Sequence, residues 1–268
     1  MRVMTAALSI VAAAAALVPA PLSAAEEVKL GGRRIVGGEK ADIKDHPWQV
    51  ALGSKGLLGV KQWCGGSIIA QDWVLTAAHC FDYSTKPGDF RAKSGQSEFK
   101  AGAWIEIDQV FLHEGYDRKT KANDIALVRL KAPHSGRIIP MASKSTSLRV
   151  GQSLEVTGWG QTSEGGSVSG HLMKASVPYV DNSTCNEPAS YHGEVRESMM
   201  CAGRREGGID ACQGDSGGPL VLRGSSGPVL VGVVSWGEGC AQKLKYGIYT
   251  RVASYRDWIQ STISANRK

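Results

Sequence analysis

Asp210-Ala-Cys-Gln-Gly-Asp-Ser-Gly-Gly-Pro219 is the densest chemical signal in the chain. Ser216 is flanked by Gly214, Gly217 and Gly218, whose missing side chains permit tight backbone turns. Such a turn can aim a hydroxyl and backbone N–H groups at one point, which is what acyl transfer needs. A Gly-rich turn that merely contains a Ser fits this stretch as well, so the rest of the chain must decide.

Chain order does most of the deciding. Gly214-Asp-Ser-Gly-Gly218 also fits the Gly-x-Ser-x-Gly elbow of α/β-hydrolases, where acid and His follow the Ser. Here His46, His79, His113, His134, His171 and His192 all precede Ser216, and the elbow is excluded. A base must lie upstream. His79 ends the apolar run Trp73-Val-Leu-Thr-Ala-Ala-His-Cys80, beside a cysteine that can pin it; the other five His lie in polar or turn-like contexts and are expected at the surface. Asp124, in Asn123-Asp124-Ile-Ala-Leu-Val-Arg-Leu130, precedes an apolar strand and so stands at the edge of the interior. Local context alone favours a capping or turn Asp there.

The bulk properties narrow the class. Met1-Arg2, an Ala-rich apolar run to about Pro19 and the small residues Leu22-Ser-Ala-Ala25 have the layout of a secretory signal peptide over residues 1–25. The rest suits one large domain or two small ones. The formal charge of +6 is spread among acids and forms no basic run, which disfavours nucleic acid as a partner. Nothing after the leader is long and apolar enough to span a bilayer, so no membrane partner is expected. Six cysteines in an exported chain indicate disulfides and leave the pairing open. Cys-x-x-Cys and His-Glu-x-x-His are both absent, which disfavours zinc.

Short β-rich runs recur between Gly, Pro, Ser and Asp: Ser67 to Ile69, Trp73 to Leu75, Ile105 to Ile107, Ile125 to Leu130, Leu154 to Thr157, Val229 to Ser235. That rhythm predicts an all-β sandwich or barrel. Only the last segment has helical spacing, with Val252, Tyr255, Trp258, Ile259 and Ile263 on one face. Ser163 to Gly170 reads either as a surface loop or as a linker between two half-domains.

Taken together, Trp73 to Cys80, Asn123-Asp124-Ile125 and Gly214 to Pro219, in that order, resemble the chymotrypsin-like (trypsin-type) serine peptidases. Ile35-Val-Gly-Gly38, Cys64-Gly-Gly-Ser67, Gly158-Trp-Gly160, Ser235-Trp-Gly237 and Gly247-Ile-Tyr-Thr250 extend the resemblance from Ile35 to the C-terminus. It implies two packed six-stranded antiparallel β-barrels with a C-terminal helix. The peptidase domain would span residues 35–268, with His79 and Asp124 from one barrel and Ser216 from the other.

The resemblance implies that His79 relays the Ser216 proton, Asp124 orients His79, and the N–H groups of Gly214 and Ser216 hold the oxyanion. Asp210 would floor the specificity pocket and select Arg or Lys, with Gly237 and Gly247 as open walls. Ala211 stands where trypsins commonly carry Ser, which leans the pocket toward Arg. Ser235, Trp236 and Gly237 would pair with the substrate backbone. The implied disulfides are Cys64–Cys80, Cys185–Cys201 and Cys212–Cys240. Residues 26–34 would be a propeptide, and cleavage after Arg34 would free Ile35 to pair with Asp215.

Two departures qualify the likeness. Gly95 to Trp104 is too short for the calcium loop of animal trypsins and lacks its acidic spacing, so neither metal nor cofactor is expected. Tyr246 replaces a frequent Pro; relatives with Tyr there bind sodium, and a wall aromatic without an ion fits equally. The resemblance implies a secreted monomeric zymogen, with peptide or protein substrates bearing Arg or Lys and protein inhibitors as partners. The competing function is a catalytically silent homologue that acts as a binding module, a class that has usually lost a triad residue.

Overall fold

The computed structural model describes Met1, residues 37–81 and residues 85–267. Of the compact unit Met1–Gly31 it describes Met1 alone; Gly32–Lys268 is a second compact unit. The signal-peptide and propeptide expectations, and with them Arg34 and Ile35, lie outside the described residues.

Among the described residues thirteen strands follow in order: β1 Glu39–Lys40, β2 Gln49–Gly56, β3 Gly59–Ala70, β4 Trp73–Thr76, β5 Phe90–Ser94, β6 Ile105–Leu112, β7 Ala126–Leu130, β8 Ser153–Gly158, β9 Met173–Val180, β10 Met199–Ala202, β11 Pro219–Gly224, β12 Gly227–Trp236 and β13 Gly247–Arg251. A one-turn helix, α1 (Asn182–Cys185), lies between β9 and β10, and α2 (Arg256–Ala265) ends the chain. All six runs read from the sequence as strands fall in these elements apart from Ile125, which stands directly before β7.

The first six strands after β1 close a barrel in the order β2-β3-β4-β7-β6-β5. The second barrel runs β8-β9-β10-β13-β12-β11 and closes through the β11–β8 pairing, while β1 annexes the other edge of β9. Closure leaves no long unpaired edge on either sheet. Strand burial follows the pleat where one side faces out: Met173, Ala175 and Val177 of β9 are buried while Ser176 is exposed. In β4 all four residues are buried, because both of its sides are covered.

The core of the first barrel continues through Val221, Leu230 and Val233 of the second and through Val252, Tyr255 and Ile259 of the C-terminal segment. Val252 to Tyr255 is a 3-10 turn, so the helical face expected there is shared between that turn and α2. The crossing between barrels is the stretch between β7 and β8. Ser163 to Gly170 lies within the second barrel, between β8 and β9, and is mostly exposed; the linker reading is corrected to a loop.

A second correction concerns His46, expected at the surface and in fact 1% exposed. Its Nδ1 lies 2.9 Å from the Asp42 carbonyl and its Nε2 2.9 Å from Glu155 Oε1, which also accepts from Arg223. Partners on both nitrogens let a polar ring be buried. The short loop before Trp104 holds the ammonium of buried Lys93, which donates to the Phe99 carbonyl and lies over the Phe99 and Trp104 rings.

Three disulfides are formed: Cys64–Cys80, Cys185–Cys201 and Cys212–Cys240. The second spans 16 residues in sequence and ties α1 to β10. Replacing Cys185 and Cys201 together by Ser should cost roughly 3 kcal/mol on the chain-entropy model, a drop in Tm of roughly 6–12 °C by calorimetry. An unchanged Tm would contradict the constraint assigned to that bond.

Candidate active site

The turn before β7 does the first piece of positioning. Asn123 has φ 55°, a left-handed conformation that Asn tolerates better than most residues. Its side chain is fixed at both ends, donating to Gly115 O at 2.7 Å and accepting from Tyr255 Oη at 2.9 Å. Asp124 is thereby turned inward and is fully buried. The Asp124 Oδ1 accepts the His79 N–H at 2.8 Å, and Oδ2 lies 2.7 Å from His79 Nδ1. The second barrel contributes too: Ser235 Oγ donates to Asp124 Oδ2, and Thr250 Oγ1 donates to the Asp124 carbonyl at 2.7 Å. A carboxylate at Nδ1 assigns the proton to that nitrogen and leaves Nε2 as the basic atom of neutral His79.

Ser216 is tied to the segment before His79 through two relayed hydrogen bonds. Thr76 Oγ1, three residues before His79, donates to Gly65 O at 2.8 Å, and Gly65 N–H donates to Ser216 O at 2.7 Å. Around Ser216 the N–H groups of Asp215, Gly217 and Gly218 donate to the carbonyls of Cys212, Val234 and Asp215. Those of Gly214 and Ser216 donate to nothing among the described residues. Gln62 Nε2 holds the Gly214 carbonyl at 2.9 Å.

Ser216 also lines a cleft of about 160 Å³ that has buried Asp210 in its wall, with Ala211, Ser235, Trp236, Gly237 and Gly247 around it. At Gly247 a Cβ would lie 2.5 Å from Asp210 Oδ1, so any side chain there would obstruct the carboxylate. At Gly237 a Cβ would touch its protein neighbours only at 3.7 Å, so what its absence leaves open is the cleft itself.

The protein-family model described as Trypsin matches residues 35–259. The chain belongs to the trypsin family of serine endopeptidases. Among curated relatives, a trypsin of Saccharopolyspora erythraea is 39% identical over 234 residues, covering 86% of this chain and 99% of that protein. Transmembrane protease serine 11C of Mus musculus is likewise 39% identical over 235 residues, covering 86% of this chain. The chain spans 54% of the mouse protein's length.

Two buried carboxylates of this trypsin-family chain, Asp210 in the cleft wall and Asp215 outside its lining, have no cation partner among the described residues. Burial pushes Asp210 up to about 7, with the nearby Asp215 charge adding to it, against stabilising N–H groups of Ala211 and Ala241. Burial likewise pushes Asp215 up to about 6, against the N–H groups of Gly160 and Cys212 at 2.8 and 3.1 Å. Asp215 explains the Gly158-Trp-Gly160 motif. A Cβ at either glycine would come within 2.1 or 2.5 Å of its carboxyl group.

Gln62 and Thr250 are site residues that the sequence reading missed. Gln62 sits in no motif, Thr250 ends a motif that gave it no role of its own, and each acts through a partner more than a hundred positions away. Ser235 was expected to act through its backbone; its hydroxyl adds a bond to Asp124. The one tight group of potential metal-ligand atoms among the described residues is Cys64, His79 and Cys80, whose sulfurs are joined to each other.

Because burial raises the folded pKa of Asp210, its ionised form costs stability. The folded state keeps a proton that the unfolded chain loses near pH 4, so stability falls as pH rises from about 4 to about 7. Asp210→Asn should therefore melt several degrees above wild type at about pH 8, a gain of about 1–4 kcal/mol. The difference should fade by about pH 4. Thermal denaturation at both pH values tests this, and a variant less stable than wild type at the higher pH would refute the assignment.

Proposed function

We propose that this chain is a secreted zymogen whose activated form hydrolyses peptide bonds after Arg, and less readily after Lys, through Ser216, His79 and Asp124. The observation that supports the reading is the cleft lined by Ser216 and buried Asp210, whose Ser235 also bonds the Asp124 of the His79–Asp124 pair. Nε2 of His79 takes the Ser216 proton as Oγ bonds to the scissile carbonyl carbon. The carbonyl oxygen becomes an oxyanion, which the unpaired N–H groups of Gly214 and Ser216 are free to receive. His79 then delivers its proton to the leaving amine as the C–N bond breaks, and water hydrolyses the acyl-enzyme by the same relay. Asp124 keeps the imidazole in the productive tautomer and stabilises its cation.

Specificity rests on charge in a dry place. A guanidinium entering beside Asp210 meets a carboxylate that burial has left without a counter-ion, and its fork can pair with both oxygens. Ala211 brings no hydroxyl to solvate a Lys ammonium, hence the preference for Arg. On paired peptides differing only before the cut, kcat/KM should rank Arg above Lys and both far above Leu. Ser216→Ala should lower kcat by on the order of 10⁴-fold. A preference for Leu, or near-normal turnover by Ser216→Ala, would sink the reading.

Activation follows from Asp215. Cleavage after Arg34 would free an ammonium on Ile35, and such an ion pair would offset the desolvation of the buried carboxylate. Arg34→Gln should block self-processing and leave the secreted precursor inactive on an Arg peptide ester. A precursor that still carries residues 26–34 and turns over at the mature rate would overturn this. Substrates and inhibitors on this account are proteins offering an exposed Arg or Lys, met outside the cytoplasm by a monomer that needs no cofactor.

A further inference from the structure

A second hollow, of about 340 Å³, shares a wall with the cleft, because Trp236 lines both. Its other sides carry Lys119 and Lys121 from one loop and Glu194 and Arg196 from another. None of the three cations forms an ion pair among the described residues. Asp117 is the other acid nearby, and its Oδ1 closes its own loop by accepting the N–H groups of Lys119 and Thr120 at 2.8 and 3.0 Å. With both acids counted the hollow stays positive.

Its position relative to a bound substrate follows from the strands. β11 leaves β12 at Val233, so Ser235, Trp236 and Gly237 have no neighbouring strand on the cleft side. An extended substrate can add there as a strand. Side chains of an extended segment alternate. With the residue before the cut directed to Asp210, the second and fourth residues before the cut turn the other way, past Trp236 toward the lysines. We infer that this enzyme selects an acidic side chain at the second or fourth position before the cut, in addition to the basic residue at the cut. The inference rests on the Arg-directed cleft proposed above and adds a second charged determinant to its substrate class.

The test uses the activated enzyme and peptides with Arg before the cut and either Glu or Gln at the second or at the fourth position. Exposed charge pairs are each of modest strength, and Glu194 and Asp117 offset part of the three cations. The Glu-over-Gln ratio in kcat/KM should therefore be roughly three- to five-fold at low ionic strength. The ratio should shrink as salt is added, since exposed charges are screened. In a Lys119→Glu, Lys121→Glu, Arg196→Glu triple variant it should fall to one or invert; being a ratio, it does not depend on the amount of folded variant. A ratio near one at both positions in the wild-type enzyme, or one that survives the triple change, overturns the inference while leaving cleavage after Arg intact. Failure to cut any of these peptides while a Leu analogue is cut would remove the Arg reading, and this inference with it.

Discussion

The Asp124 carboxylate joins the two halves of the protein. It stands directly before β7 of the first barrel, yet one of its donors is Ser235 of the second, and Thr250 of the second holds its main-chain carbonyl. A fully buried carboxylate left short of donors costs several kcal/mol, so the barrels can meet only where these groups converge. The same contact orients His79 through two bonds. Inter-barrel packing and alignment of the proposed catalytic base are thus one interaction, and a shift between the barrels would be felt at the cleft.

Three carboxylates are buried close to this seam, each in a different environment. The Asp124 carboxylate is held by His79 N–H, His79 Nδ1 and Ser235 Oγ. Asp210 and Asp215 are held by backbone N–H groups, and burial raises both. The fold therefore carries two carboxylates whose ionised forms are under-compensated by the described residues. That is a stability cost, and it is what makes each a strong receiver for an incoming cation: on the proposed function, a substrate side chain at Asp210 and a chain terminus at Asp215. Gly158 and Gly160 show how closely the frame is built around the second of these, since neither position has room for a methyl group.

Much of this architecture was legible in advance. Six strand runs and the helical face at the C-terminus could be read from residue type and spacing, because pleat and helix periodicity act locally. The three chemical segments could be found because Ser216, His79 and Asp124 each sit in a distinctive neighbourhood. Their order along the chain excluded the hydrolase elbow, and their combination pointed to the family. His46 was misread as a surface residue because its partner Glu155 lies over a hundred residues away and leaves no trace in the local pattern. Ser163 to Gly170 was ambiguous for a related reason: a Ser/Gly stretch has the same composition whether it joins strands or domains.

The sequence by itself determined which residues could do chemistry and which face of each element could be buried, since both depend on side-chain identity and near neighbours. Tertiary structure alone decided that Asp124 is a buried acceptor where its local context favoured a turn, and that Gln62 fixes the Gly214 peptide. It likewise decided that the N–H groups of Gly214 and Ser216 are left unpaired among the described residues, and that Lys119, Lys121 and Arg196 face one hollow beside Trp236. Each is a property of groups far apart in the chain, set by the closing of two barrels against each other; burial and partner distance, which govern charge in a low dielectric, exist only once that closure has occurred.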